Sequence, residues 1–243
     1  MARLFVKGEL VQGDVVALGG EQAHYLKNVL RMKPGDEAFL IDDAGSEYLC
    51  EVCDVGKRRV KLVVGEKRAD EPPPTVSIDL YVGLMKGNRM ERLVRDASAL
   101  GVRSIVPITS ERAIPQNIGE VKIERLRKIA VEEARLSGQK KVVTINAPLS
   151  FSDALLQTRG VKIIFWEDGG EDIRAPLRED FREETEFSLI TGPEGGLSVR
   201  EVEEARGAGF RVMGLGAAIL RAEFAPIVVA TIILYEKGGF SKR

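Results

Sequence analysis

The sequence predicts an α/β protein in two parts, a small β-rich domain over residues 1–70 and a larger domain of alternating strands and helices over residues 76–243. Three observations lead there. The first 70 residues hold short runs rich in β-branched and aromatic residues, "DVVAL", "DEAFLIDD", "EYLCEVCDV" and "RVKLVVGEK", punctuated by Gly and Asp in "KPGD" and "DDAGSE". From Val76 onward, strand-like and helix-like patterns alternate, which implies a mostly parallel sheet covered on both faces. Between them stands "DEPPP", whose prolines continue neither strand nor helix, so residues 71–75 read as a stiff linker.

In the first part a short helix near Ala23 to Leu30 interrupts the strands, and a small barrel is the natural way to close them without edges. In the second part "VSIDLYVGL" is a buried type of strand. Asn88 can cap the helix that follows, where Met90, Leu93, Val94, Ala97 and Leu100 share a face, and Gly101 ends it. "SIVPI" is the next strand, a charged helix runs from about Gly119 to Leu136, and "KVVTI" follows. "FSDALLQT" is a short helix, "VKIIFWED" and "EFSLITG" are strands, a helix starts at Ser198, and "RVMGLG" leads to a last helix reaching Tyr235. Pro226 suits the first turn of that helix, where its missing N–H is not needed. From Ile227 to Tyr235 nearly every residue is apolar, the pattern of a helix buried either in the core or in a subunit interface.

The net charge of −1 excludes a basic field over the whole protein. Charge is nevertheless uneven: residues 86–141 hold 13 Lys and Arg against 7 Asp and Glu, while residues 142–243 hold 12 against 16. A basic middle points to a polyanionic partner on one face, against the plainer reading of a solvated helix surface. Cys50 and Cys53 have the spacing of half a zinc site, but positions three apart on a strand face opposite ways. A structural zinc needs two further ligands, and the chain has one histidine, His24, so no metal is expected. No leader pattern precedes the first charges, and the apolar run Phe224 to Tyr235 is too short to span a bilayer, so the expectation is a cytoplasmic protein with no membrane contact.

Ligands of open α/β sheets sit outside the carboxyl ends of the strands. Three such ends are unusual here: "FWEDGG" at 165–170, "TGPEGG" at 191–196 and "GLGAAILRAEFAP" at 214–226. Glycine permits close approach of a ligand to the backbone. "TGPEGG" lacks the Lys and Ser/Thr of a P-loop and the G-x-G-x-x-G spacing, and its acid would repel a polyphosphate. A neutral or cationic ligand fits better, such as a nucleoside carrying a sulfonium.

At these residues the chain resembles the ribosomal RNA small subunit methyltransferase E family. "TGPEGGLS", "LG-x-x-ILR-x-E" and the apolar last helix carry the resemblance, joined upstream by "HYLKNVLRMKPGD", "MKGNRMERLVRDASALGV", "TSERA" and "EEARLSGQKKV". The chain departs from the family pattern at Phe224, at "RDASA" (95–99) and at "RLSG" (135–138). The resemblance implies a PUA-like RNA-binding β-barrel followed by a SPOUT-type α/β domain with a deep trefoil knot, and a homodimer formed through the knotted domain. General topology rules give no reason to expect a knot. It also implies S-adenosyl-L-methionine as cofactor, and methylation of uridine N3 in the 16S rRNA of the small ribosomal subunit near the decoding centre.

On that resemblance, Gly192, Gly195 and Gly196 let the backbone lie against the cofactor while Pro193 and Thr191 shape the loop. Leu215, Gly216, Ile219 and Leu220 hold its adenine, and Trp166 and Glu167 supply a third wall. Uridine N3–H is a weak acid, so a cation near O2 or O4 would stabilise the anion, a role that suits Arg221. Glu194 or Glu223 could accept a proton or hold Arg221, and Arg221 with Glu223 could equally be a structural ion pair. RNA contacts are expected from Lys86, Arg89, Arg92 and Arg112, with Arg3, Lys27 and Arg31 from the first domain. Competing readings are ribose 2′-O-methylation with the same loops, a non-catalytic RNA-binding or ribosome-assembly factor, and a phosphate-binding nucleotide module.

Overall fold

The computed structural model describes residues 1–69, 75–216 and 219–240, so residues 71–74 of the expected linker lie outside the described residues. Internal contacts divide the chain into two units. The first is Met1–Pro72 with Arg135–Lys141, and the second is Pro73–Ala134 with Val142–Arg243. The segment Arg135–Lys141 is a return to the first unit that no local sequence signal announces, because it lies within and just beyond a continuous helix.

In the first unit, β1 (Ala2–Phe5), β2 (Val15–Gly19), β3 (Glu37–Ile41), β4 (Glu47–Val55) and β5 (Arg59–Lys67) form one sheet in the order β1-β3-β4-β5-β2. The β1–β3 pairing is parallel and the others are antiparallel. The turn between β3 and β4 is made by Asp42, whose Oδ1 accepts from the N–H groups of Ala44 and Ser46 at 3.0 and 2.8 Å. The expected short helix is α1 (Gly20–His24), which widens into a π turn over Tyr25–Val29. Leu4, Leu18, Leu26, Leu40, Val52 and Leu62 pack into its core. Cys50 is buried and Cys53 exposed, as period-two alternation along β4 requires.

Glu47 begins β4 with its side chain fully buried. Its carboxylate accepts from Arg3 Nε at 2.6 Å and Arg68 Nη1 at 3.1 Å, with Lys140 Nζ 3.9 Å away. Burial pushes its pKa up, but the hydrogen bonds and charges of Arg3, Arg68 and Lys140 outweigh it and hold the carboxyl below its ordinary value.

The second unit is built on β6 (Ser77–Gly83), β7 (Ser104–Thr109), β8 (Thr144–Ile145), β9 (Leu149–Ser150), β10 (Val161–Phe165), β11 (Glu171–Asp172), β12 (Glu186–Thr191) and β13 (Arg211–Gly214). Their order is β11-β13-β10-β12-β6-β7-β8, with β9 also on β7, and every pairing is parallel. Side chains alternate between two cores. Ile78, Leu80, Ile163, Phe187, Leu189 and Met213 join one, and Tyr81, Ile164, Ile190 and Val212 join the other. Each fully buried side chain of this size contributes about 1.5–3 kcal/mol, so a one-residue slip of any strand would misplace several at once.

The first core is covered by α2 (Arg89–Leu100), α3 (Glu120–Ser137), α5 (Arg174–Arg178) and α7 (Ala225–Glu236), the second by α4 (Phe151–Gln157) and α6 (Val199–Gly207). The buried face of α2 is Met90, Leu93, Val94 and Ala97, and Gly101 closes it at φ +78. Asn88 occupies the N-cap position without a side-chain cap bond; its carbonyl accepts from Arg92 N–H at 3.1 Å. Helix α6 starts with a capping box between Ser198 and Glu201, and α7 has its proline in the first turn. Strand β11 and helix α5 were not anticipated, because "EDIRAPLRED" is too charged and too short to show a periodic face.

Candidate active site

The three unusual loops leave the sheet side by side. In the register of the parallel strands, Phe165 at the end of β10 stands beside Thr191 of β12 on one side and Met213 of β13 on the other. The loops they start enclose a cavity of about 580 Å³ at the carboxyl ends of the strands. Trp166 and Glu167 form one wall; Thr191, Gly192, Pro193, Glu194 and Gly196 form a second. Leu215, Gly216, Ile219, Leu220, Arg221 and Glu223 form the third, and Arg89, the first residue of α2, closes one side. Residues 217 and 218 of the third loop lie outside the described residues.

Two glycines explain how the loops come this close. Gly196 has φ +68, and a Cβ there would overlap the Glu167 carboxylate. Gly83, at the end of β6, backs directly onto Pro193, and a Cβ would overlap the Pro193 nitrogen. Gly83 carries a sequence signal of its own, a glycine ending an otherwise apolar central strand. Gly195 was expected in the cofactor set, but it does not line the cavity. It packs against Arg112, whose Cβ and carbonyl oxygen would each lie 3.1 Å from an added Cβ and whose Nη1 donates to the Gly195 carbonyl at 3.3 Å.

The charged groups of the cavity are ordered around Arg89. Glu194 Oε1 accepts from the Lys86 backbone N–H at 2.9 Å and from Arg89 Nη1. Burial pushes the Glu194 pKa up, but its own backbone N–H, that of Lys86 and the Arg89 guanidinium outweigh burial and hold it below the ordinary value. Arg89 Nε also lies 3.6 Å from Glu223 Oε2. Arg221 Nη1 approaches Glu223 Oε1 only to 3.9 Å, and its side chain is 76% exposed. Arg89 is therefore shared by two of the three carboxylates that line the cavity, Glu194 and Glu223, a placement the sequence did not suggest, since Arg89 belongs to the basic middle expected to meet RNA.

The other expected RNA-binding residues divide between the two units. Lys86, Arg92 and Arg112 have exposed side chains in the second unit. In the first unit Arg3 is held by buried Glu47, Lys27 Nζ donates to the Gly56 carbonyl at 3.2 Å, and Arg31 is exposed with φ 56. A second cavity of about 420 Å³ includes Asp79, Tyr81, Arg103 and Arg159. Its buried carboxylate, Asp79, already accepts from Arg103 and Ser104. Among the described residues no group of three His, Cys, Asp or Glu is placed to hold a metal ion, and no helix is long and apolar enough to cross a membrane.

The larger cavity suits a small ligand with apolar and polar parts. Leu215, Ile219 and Leu220 offer an apolar wall, and Ile219 is 86% exposed. Thr191 Oγ1 and Trp166 Nε1 are buried without a hydrogen-bond partner among the described residues, and buried polar atoms left unpaired are costly.

Residues 71–234 match the family described as RNA methyltransferase domain, and residues 18–65 match the RNA methyltransferase PUA domain. The Aquifex aeolicus ribosomal RNA small subunit methyltransferase E is 30% identical over 88% of this chain and 91% of its own length. The Bacillus subtilis protein of the same name is 27% identical over 97% of each. Among solved structures, a Neisseria gonorrhoeae ribosomal RNA small subunit methyltransferase E bound to S-adenosyl methionine superposes with a TM-score of 0.88 at 24% identity, covering 97% of both chains. A PUA domain, an all-parallel sheet with three glycine-bearing loops at its carboxyl edge, and these matches over nearly the whole sequence place the chain in the ribosomal RNA small subunit methyltransferase E family.

Proposed function

We propose that the protein methylates N3 of a specific uridine in the 16S rRNA of the small ribosomal subunit, near the decoding centre, using S-adenosylmethionine. The observation that carries this reading is the cavity where three parallel strands end in register: apolar on one wall, lined by glycine backbone on another, and edged by Arg89, Glu194, Arg221 and Glu223. S-adenosylmethionine supplies an electrophilic methyl group on a sulfonium. Leu215, Ile219 and Leu220 would hold its adenine, with Thr191 Oγ1 and Trp166 Nε1 available for its polar groups. Arg221, mostly exposed at the cavity, would meet the uridine and stabilise negative charge on O2 or O4 as N3 loses its proton. Holding the base in line with the methyl group supplies the rest of the acceleration.

Lys86, Arg92 and Arg112 would grip RNA phosphates, with Lys27 and Arg31 from the first unit. Helix α7 supports a homodimer: its sequence is apolar on all sides, Ile227, Val228 and Ile232 are only half-buried, and Phe224 and Tyr235 are exposed. β13 pairs outside β10, yet α7 packs on β12, β6 and α2; this doubling back supports the knotted crossover of the SPOUT fold. The reaction belongs in the cytoplasm, where small subunits are assembled.

The test is to incubate small subunits from a strain lacking the protein with purified protein and methyl-labelled S-adenosylmethionine, and to identify the labelled nucleoside. N3-methyluridine is the expected product. Label on ribose would move the function to 2′-O-methylation, and cofactor binding with no label on subunits or free 16S rRNA would make the protein a binding factor.

A further inference from the structure

Three carboxylates line the cavity: Glu167 is exposed to solvent, and the two beside Arg89, Glu194 and Glu223, differ in what they have left to offer. Glu194 is engaged: its Oε1 accepts from a backbone N–H and from a guanidinium. A carboxylate held in this way is a poor proton acceptor, and its pKa lies below the ordinary value. Glu223 is the reverse. Its side chain is 9% exposed, it lines the cavity, and no described residue donates a hydrogen bond to it. Arg89 and Arg221 approach its two oxygens only at 3.6 and 3.9 Å, beyond hydrogen-bond length. An ionised carboxylate has about four acceptor positions, and none of those on Glu223 is committed to a described donor, so on the cavity wall they can meet a ligand.

We infer that Glu223 accepts the N3–H proton of the target uridine, and that Arg89 is a positioning residue that ties Glu194 to the fold and leaves Glu223 open toward the base. This rests on the proposed uridine-N3 reaction. In the transfer, the N3–H bond breaks with its electron pair remaining on nitrogen and the proton passing to a Glu223 oxygen. The N3–methyl bond forms as the carbon–sulfur bond breaks with its pair on sulfur. Glu223 then gives the proton to solvent. Arg89 hydrogen-bonds Glu194 while standing off Glu223, so the two carboxylates are held apart in role by one guanidinium.

The experiment compares wild type, Glu223→Gln and Glu194→Gln as full-length proteins. The substrates are small subunits reconstituted with ordinary 16S rRNA and with 16S rRNA transcribed with 5-fluorouridine, whose N3–H is more acidic. Binding of S-adenosylmethionine is measured by calorimetry for each variant. Glu223→Gln is expected to bind S-adenosylmethionine within about threefold of wild type, to lose at least about 100-fold in single-turnover rate, within the range for removing a general base, and to recover much of that loss on the 5-fluorouridine substrate. Glu194→Gln is expected to lose cofactor affinity, with no selective recovery on the fluorinated RNA. Wild-type transfer to N3 with Glu223→Gln at wild-type rate, or equally slow on both RNAs with cofactor affinity intact, would overturn the inference. Wild-type label at another atom would instead overturn the reaction on which it rests.

Discussion

Glu47 in the first unit and Glu223 in the second are both carboxylates removed from water, and they are solved in opposite ways. Glu47 is surrounded by Arg3, Arg68 and Lys140, with hydrogen bonds of 2.6 and 3.1 Å. Glu223 has two cations near it, and neither is within hydrogen-bond distance. Burial of an acid therefore does not mark a functional site by itself. What marks it is a carboxylate on a cavity wall whose oxygens are not committed to the fold's own donors and so can meet a ligand.

The widest gap between the two is expected in stability. Glu47→Ala removes the common partner of three cations and is expected to cost about 3–5 kcal/mol, the usual range for breaking a buried pair, read as a lower urea midpoint. Glu223→Gln breaks no hydrogen bond among the described residues and is expected to cost less than about 1 kcal/mol. Equal losses would erase the distinction. The pH dependence gives a second reading of the same contrast. The folded-state pKa of Glu47 lies below its unfolded value, so its stabilisation is complete above the unfolded value and is lost as pH falls through the folded one. The acid side of the thermal stability profile should accordingly be shallower in Glu47→Ala than in wild type.

The same division applies to backbone positions and gives smaller effects. Gly83 faces Pro193 with no room for a methyl group, so Gly83→Ala is expected to cost about 1–3 kcal/mol and to displace the loop that carries Glu194. Gly216 has φ +84 and no described atom within 4 Å of an added Cβ, so Gly216→Ala should cost only about 1–2 kcal/mol of backbone strain. Differential scanning calorimetry with and without S-adenosylmethionine separates them. Gly83→Ala should lose both intrinsic stability and the ligand-induced shift in melting temperature, whereas Gly216→Ala should retain a substantial shift.

Much of this arrangement was legible in the residues, for definable reasons. Strand–helix alternation from Val76, the face of α2 and the helix start at Ser198 are local patterns, and they appear where the sequence puts them. The three loops were legible because glycine clusters at strand ends are uncommon. Side-chain partners were less so. Arg89 read as an RNA contact and sits between Glu194 and Glu223; Arg3 read the same way and is held by Glu47. Both pairings join residues distant in sequence, Arg3 with Glu47 and Arg89 with Glu194 and Glu223, and no local periodicity encodes them. Gly195 sits in the same motif as Gly192 and Gly196 but turns to Arg112, because a tight loop necessarily points successive residues different ways.

The smallest expected effect belongs to a residue on neither side of the Glu47–Glu223 contrast. Arg92 is exposed on α2, one turn from Arg89, with no ion pair or side-chain hydrogen bond among the described residues. Arg92→Ala should change stability by less than about 0.5 kcal/mol and leave S-adenosylmethionine binding untouched. If its charge meets a phosphate, the slope of log K for RNA against log salt should fall by about one, with weakening that is uniform across sequences. Arg89→Ala differs in kind: it strips Glu194 of its guanidinium and should disturb the cavity even without RNA. An unchanged salt slope in Arg92→Ala, beside a lost cofactor response in Arg89→Ala, would confine the function of this helix start to the cavity and move the RNA surface elsewhere.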